Sequence, residues 1–458
     1  MVAIPIMVQN GITNFIGLLD NVMVGAVGTE QMSGVSISNQ LLFIFNLCVF
    51  GAVSAAGIFT AQFYGQGNED GVRYTVRYKL LVSILAFVIA VVVFIFAGKS
   101  LISLYLHDGA GIVDSAATLL YGNEYLLIML TGLLPFSIVQ VYAGTLRETG
   151  ETLLPMKAGI IAVLVNLLFN YLLIFGSFGF PKLGVAGAAI ATVISRFVEC
   201  AIVVIWTHCH KERNSYITNL YHGFHIPVAL AKQISIKGIP LIINETLWAL
   251  GVAVQMQSYS LRGLEVVAGM NISSTISNLF NVVFIALGSS IAIVVGQLLG
   301  AGKLEKAKEM ASKMIAFSVE CCIGIALLMI VFAPYFPKLY NTSEQVRELA
   351  KNFIIICACA MPIQAFLHAS YFTIRSGGKT LITFIFDAGY MWIITIPLIY
   401  LITRFTTLSI MPIYMICLYS DLIKVIIGFI LVKKGVWIQN IVEDGNNTQN
   451  IESELPVS

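Results

Sequence analysis

Apolar runs of about 20 residues, nearly free of charge, recur along the whole chain between short polar connections. A helix needs that length to cross the hydrocarbon core, because lipid offers the backbone no partner and intrahelical bonds must satisfy it. The pattern predicts twelve membrane-spanning helices, at about 2–27, 35–64, 80–97, 125–146, 158–180, 183–207, 238–261, 266–301, 314–336, 352–374, 380–403 and 406–432. The first run starts at Met1 without the basic leading residues of a signal peptide and reads as a span, with a short leader expected before it. After Trp437 the chain turns polar and acidic, and 441–458 is expected to be a disordered tail.

Composition agrees with lipid as the main solvent. Of the 458 residues 58% are apolar and 11% are charged, against roughly 25% charged in a soluble domain. So little charge cannot cover a water-facing exterior. A net charge of +2 without a basic block excludes a nucleic-acid partner. Most of the eight cysteines lie inside apolar runs, where a thiol acts as a small hydrophobe rather than a disulfide or zinc ligand. The histidines of the connection after the sixth span (His208, His210, His222, His225) read as solvated loop residues rather than a metal site.

Charge placement sets an orientation. Of the 26 Lys and Arg residues, 17 fall in connections on the side of the chain termini and seven on the other side, which places both termini in the cytoplasm of a plasma-membrane protein. Arg196 and Lys424 fall inside spans. Each is expected to be neutralised by a carboxylate three residues away, Arg196 with Glu199 and Lys424 with Asp421.

The chain repeats itself. An offset of 235 pairs Ile4-Pro5 with Ile239-Pro240, Phe45-Asn46 with Phe280-Asn281, Ser54 with Ser289, Gln62 with Gln297, and Gly65 and Gly67 with Gly300 and Gly302. A slightly different offset pairs Thr145, Arg147, Gly150 and Thr152 with Thr373, Arg375, Gly378 and Thr380. The domains expected are 1–225, a six-helix lobe with its linker, and 226–440, a second six-helix lobe. Six spans per half make the repeat parallel, with a pseudo-twofold along the membrane normal, an architecture in which transporters bind substrate between the halves. Pro5 and Pro240 remove a backbone donor near the start of the first helix of each half and invite a bend.

Ionisable and polar groups at membrane depth are expensive and therefore candidate machinery. Asp20 on the first helix, Asn166 and Asn170 on one face of the fifth, and Thr192 on the sixth bring oxygen ligands to one depth, roughly 10 to 14 Å from the outer helix ends at about 1.5 Å per residue. Glu245 and Asp387 in the second half are alternative proton or organic-cation sites, with Trp248 and Trp392 as candidate aromatic walls. The run 296–303 lacks the residues of a phosphate loop, so no ATP is expected and an ion gradient must supply the energy.

The opening Ile4-Pro5-Ile6-Met7-Val8-Gln9-Asn10 and the following Gly17-Leu18-Leu19-Asp20-Asn21-Val22-Met23-Val24-Gly25 resemble the first helix of the multidrug and toxic compound extrusion (MATE) family. So do Gln62-Phe63-Tyr64-Gly65-Gln66-Gly67, its partner Gln297-Leu298-Leu299-Gly300-Ala301-Gly302, and the segment Thr145-Leu146-Arg147-Glu148-Thr149-Gly150-Glu151-Thr152-Leu153-Leu154-Pro155-Met156. The resemblance implies an all-α fold of two six-helix lobes in a V, and export of organic, often cationic, compounds against inward flow of H+ or Na+, without another cofactor. It implies that Asp20, Asn166, Asn170 and Thr192 form the coupling-ion site. The family carries an Asp where Asn170 stands, which leaves one carboxylate and the choice between Na+ and H+ open. A second-lobe site does not carry over, because Gln364 stands where the tenth-helix Asp of some members would fall.

A monomeric, ion-coupled antiporter of small organic substrates is therefore expected. The alternatives are a flippase for lipid-linked precursors, which a central cavity with excess positive charge would favour over an acidic and aromatic one, and a membrane enzyme, for which no catalytic constellation is found.

Overall fold

The computed structural model describes residues 2–106, 114–340 and 342–443, and the side chains of these except 13–19, 21, 22 and 264. Among the described residues twelve long helices follow the predicted spans: α1 Ala3–Gly25, α2 Thr29–Gln66, α3 Glu69–Ser103, α4 Ser115–Glu148, α5 Leu153–Phe175, α6 Val185–Cys209, α7 Val228–Ser260, α8 Leu264–Gly300, α9 Leu304–Phe332, α10 Glu344–Ser376, α11 Thr380–Phe405 and α12 Ile410–Lys433. The end of the bundle at which α1 begins and α12 ends is called the base, and the opposite end the rim.

Several helices outrun their apolar stretches. α3 begins at Glu69 rather than near 80, because Asn68 accepts from Gly71 N at 2.8 Å and the first-turn acids Glu69 and Asp70 suit the positive end of the helix. α7 begins at Val228, so Pro240 lies inside the helix and not near its start, a correction to the sequence expectation. Hydropathy marks the part of a helix that lipid covers, and polar turns continue the same helix into water.

The helices form two six-helix lobes. In the first, α2 packs on α3 and α4, α4 on α6, and α5 on α1 and α6; in the second, α8 packs on α9 and α10, and α10 on α12. The most apolar 18-residue windows of α2, α4 and α8 are 61% buried, against 22% for α3 and 11% for α12. The first three are therefore central, and α3 and α12 present side chains such as Phe96 and Ile426 outward, to lipid.

Across the lobes α2 meets α7 and α8, and α1 meets α8. At the base the contact is reciprocal. A Cβ on Gly65 would lie 1.9 Å from the Gln297 carbonyl oxygen, and one on Gly300 would lie 1.9 Å from that of Gln62, so only glycine allows the two helices this approach. Gln62 Nε2 donates to Ser376 O at 2.9 Å, and Gln297 Nε2 donates to Glu148 O at 2.7 Å, so each glutamine holds the last turn of a helix in the opposite lobe. Gly67 and Gly302, at φ 78° and 71°, end α2 and α8 with the same pair of backbone bonds, Gly67 N to Tyr64 O with Asn68 N to Phe63 O, and Gly302 N to Leu299 O with Lys303 N to Leu298 O.

The chain beyond α12 corrects the expected tail boundary. Trp437, Ile441 and Val442 are buried, the last two in the apolar core of the first lobe. Gln62 Oε1 accepts from Ile441 N at 2.9 Å, and Asn440 Nδ2 donates to Gly300 O at 3.4 Å. This strap therefore touches both lobes at the base. Residues 444–458 of the expected tail lie outside the described residues. Arg77 organises the linker between the lobes, donating to the carbonyls of Leu220, His225, Asn219 and His222 at 2.8–2.9 Å. His208, expected in a solvated loop, instead meets Tyr142 Oη at 3.0 Å.

Candidate functional site

Three helices of the first lobe carry polar groups to one place. Asn170 Nδ2 donates to Asp20 Oδ1 at 2.5 Å and to Asn166 Oδ1 at 3.1 Å, and Asn166 Nδ2 donates to Thr192 Oγ1 at 3.2 Å. Thr192 in turn donates to Ala188 O at 3.0 Å. The row Asp20–Asn170–Asn166–Thr192 thus joins α1, α5 and α6 in the rim half of the lobe. Asn166 and Asn170 are 5% and 1% exposed, and Asn170 Oδ1 is buried without a hydrogen-bond partner. A buried acceptor left open costs about 1–3 kcal/mol unless something donates or coordinates to it. Oxygen ligands grouped around one carboxylate are what a proton or a hard monovalent cation requires.

The second lobe holds a different network. Asp387 lies in a π-helical turn of α11, Ile385–Gly389, followed by a second one at Met391–Thr395. Wider turns of this kind re-aim side chains and collect at functional places. Asp387 Oδ1 accepts from Lys424 Nζ at 2.7 Å and Oδ2 from Asn244 Nδ2 at 3.1 Å. The expected Lys424–Asp421 pair is therefore corrected: Lys424 reaches across to α11, and Asp421 accepts from Gln364 Nε2 at 2.8 Å. Glu245 Oε1 accepts from Tyr371 Oη at 3.5 Å, and Arg375 Nη1 donates to the same hydroxyl at 3.5 Å.

Arg196 does not pair with Glu199 among the described residues. Its side chain runs toward α4, where the guanidinium donates to Gly132 O at 3.4 Å and lies 5.0 Å from the Phe136 ring centroid. Trp392 donates from Nε1 to Leu247 O at 2.9 Å, tying α11 to α7, and Trp248 is 43% exposed. Neither tryptophan lines the central cavity.

That cavity lies between the lobes on the rim side of the base contacts. Its wall is made of matched positions of the two halves: Ser54 with Ser289, Ile58 with Ile293, Arg147 with Arg375, and Glu148 with Ser376. Its aromatic faces are Phe50 and Phe372. Glu148 is ion-paired with the fully buried Lys79, which also donates to Thr145 Oγ1 at 3.2 Å. The two arginines were missed as cavity residues because as isolated charges they read as topology markers. The signal available was their pairing in the internal repeat.

The MatE family model matches residues 5–172 and 240–401, one block in each lobe, and the chain belongs to this family. A relative named probable multidrug resistance protein NorM from Thermotoga maritima is 24% identical over 441 residues, 96% of this chain and 92% of that protein. A Bacillus licheniformis protein of the same name is 25% identical over 418 residues, 89% and 88% of the two chains. Among solved structures, a MATE crystallised with MaD3S superposes with a TM-score of 0.85 at 18% identity, covering 95% of each chain, which shows the same fold.

Proposed function

We propose that this protein is a secondary active exporter of small organic compounds in the plasma membrane, both termini cytoplasmic, driven by exchange for H+ or Na+ through alternating access. The observation that carries the reading is Asp20, a carboxylate at membrane depth held by Asn170 beside an unpartnered amide oxygen. The family and the names of the relatives support export.

Ionised Asp20 accepts from the Asn170 amide. A protonated Asp20 is itself a donor, and a turned Asn170 amide would offer it the oxygen that now lacks a partner. Proton arrival thus exchanges one hydrogen-bond arrangement among α1, α5 and α6 for another. A bound Na+ would draw on the same oxygens. Coupling follows only if the lobes prefer different orientations in the two arrangements, since a ligand with equal affinity for both states shifts neither. The reciprocal Gln62 and Gln297 contacts describe the orientation with the base shut.

The test is dye efflux in proteoliposomes with H+ and Na+ gradients imposed separately. Asp20→Asn is expected to lose at least tenfold of gradient-driven transport while still inserting and eluting as a folded protein. Undiminished transport by that variant would sink the antiport reading. A second reading, a flippase for lipid-linked precursors, gains from Arg147 and Arg375 in the cavity wall.

A further inference from the structure

The charge of the central cavity is opposite to what an exporter of organic cations needs. Its wall holds two arginines and one glutamate, and that glutamate is committed to Lys79. Arg147 and Arg375 form no ion pair among the described residues. Arg375 is 3% exposed; among the described residues its side chain makes one long hydrogen bond, 3.5 Å, to the Tyr371 hydroxyl, and otherwise lies 5.9 and 5.7 Å from the Tyr371 and Phe372 ring centroids. Arg147 Nη2 donates to Gln9 Oε1 at 3.1 Å, and its Nε is buried without a partner. The carboxylates they interact with, Glu199 and the neighbouring Glu148 for Arg147 and Glu245 for Arg375, are none of them within ion-pair distance.

Buried guanidiniums are costly unless an anion or a full set of acceptors meets their donors. Here a buried one, Arg375, and a half-buried one, Arg147, from equivalent positions of the two lobes, border one cavity with their hydrogen-bonding capacity incompletely used. A guanidinium presents a planar fork that matches carboxylate and phosphate oxygens. The rest of the wall is apolar, with Phe50, Ile58, Ile293 and Phe372. We propose that the cavity takes an amphiphilic organic anion, its carboxylate or phosphate held by Arg147 of one lobe and Arg375 of the other, its apolar part on these four side chains. The inference rests on the transport reading above and specifies its substrate class.

One anion bridging the lobes also has a mechanical meaning. Arg147 and Arg375 sit in the last turns of α4 and α10, beside Glu148 and Ser376, the two carbonyls that Gln297 and Gln62 hold across the base. An anion shared by both guanidiniums would favour the lobe separation at which both reach it.

The rival explanation is local: basic residues in the last turn of a helix complement its dipole. Lysine serves the dipole as well as arginine does, and so the substitutions separate the two. Full-length protein in nanodiscs of neutral phosphatidylcholine is titrated, without any gradient, with carboxyfluorescein and with ethidium, an anion and a cation of similar size, following anisotropy. Wild type is expected to bind carboxyfluorescein saturably and at least tenfold tighter than ethidium. Arg375→Gln and Arg147→Gln should each weaken the anion at least tenfold, Arg375→Lys about threefold, and none should move ethidium by more than twofold.

A second arm measures arginine-dependent translocation of fluorescent phosphatidate in vesicles. Phosphatidate alone assigns the anion to a lipid headgroup, and carboxyfluorescein alone to a soluble compound. Binding of neither, or anion binding that both Gln variants leave intact, overturns the proposal. If the Gln variants fail to fold, the wild-type preference and Arg375→Lys still decide. Because binding is read without a gradient, anion binding together with full transport by Asp20→Asn would leave this inference standing and remove the antiport reading.

Discussion

Asn170 stands where the family resemblance leads one to expect an Asp, and its environment says what that difference would do. Its amide spends both hydrogens on Asp20 and Asn166 and leaves Oδ1 unmatched. A second carboxylate there would stand against Asp20, and two carboxylates sharing a site repel unless a proton or cation joins them. Asn170→Asp is therefore expected to make efflux respond to Na+, at least twofold above the wild-type response under the same imposed gradient. An unchanged Na+ response would mean that these oxygens do not select the ion. Asp20, Asn166, Asn170 and Thr192 were legible in the sequence because polar groups at lipid depth have few alternative explanations. The partner of Lys424 was not. Helical spacing offered Asp421 three residues away, but the π-helical turns of α11 bring Asp387 to it instead. Nothing in the local sequence announces that change of pitch.

Single elements repeat the same lesson at larger size. The apolar runs predicted the middle of every helix, whereas ends such as Glu69 and Val228 were set by caps and polar turns that hydropathy does not weigh. The pairing of Gly65 with Gly300 was visible as a repeat, but only the fold shows that the two glycines admit each other's helix. Gly300→Val would drive a side chain into the Gln62 carbonyl, and overpacking of that sort costs roughly 1–3 kcal/mol. In the equilibrium between shut and open base that is a factor of about 5 to 150. The expected outcome is that a cysteine at position 62, in a background without other cysteines, becomes several-fold more reactive toward a polar thiol reagent. No gain in reactivity would show that the helices accommodate the valine without parting.

For the whole molecule, two lobes of equivalent construction meet at equivalent residues, and their differences carry the chemistry. Asp20 has no carboxylate counterpart in the second lobe, where offset 235 gives Gln255. The Asp387–Lys424 pair has none in the first: the offset that pairs Arg147 with Arg375 puts Gly159 and Arg196 in those positions. Among the described residues, one lobe thus carries a carboxylate held by a single amide, that of Asn170, and the other a carboxylate already joined to a fixed ammonium. The sequence could establish the repeat, but not which of its polar residues would meet at the shared cavity, because that depends on how the lobes face each other.

The strap after α12 lies across the Gln62 contact, which the proposed alternating access would part. Ile441 belongs to the second half of the chain, yet its amide is fixed to Gln62 and its side chain is seated in the first lobe. Under the proposed alternating access, parting the lobes at Gln62 would either peel this segment from its seat or draw it along, and in both cases the last described stretch of the chain would move with each turnover. A bimane fluorophore at a Cys introduced for Asn440 should therefore change emission in step with transport and stay constant in Asp20→Asn. A signal indifferent to transport would place the opening elsewhere. Under that proposal the strap at 437–443 would serve as a clock for the cycle, readable from outside the permeation route without labelling the substrate.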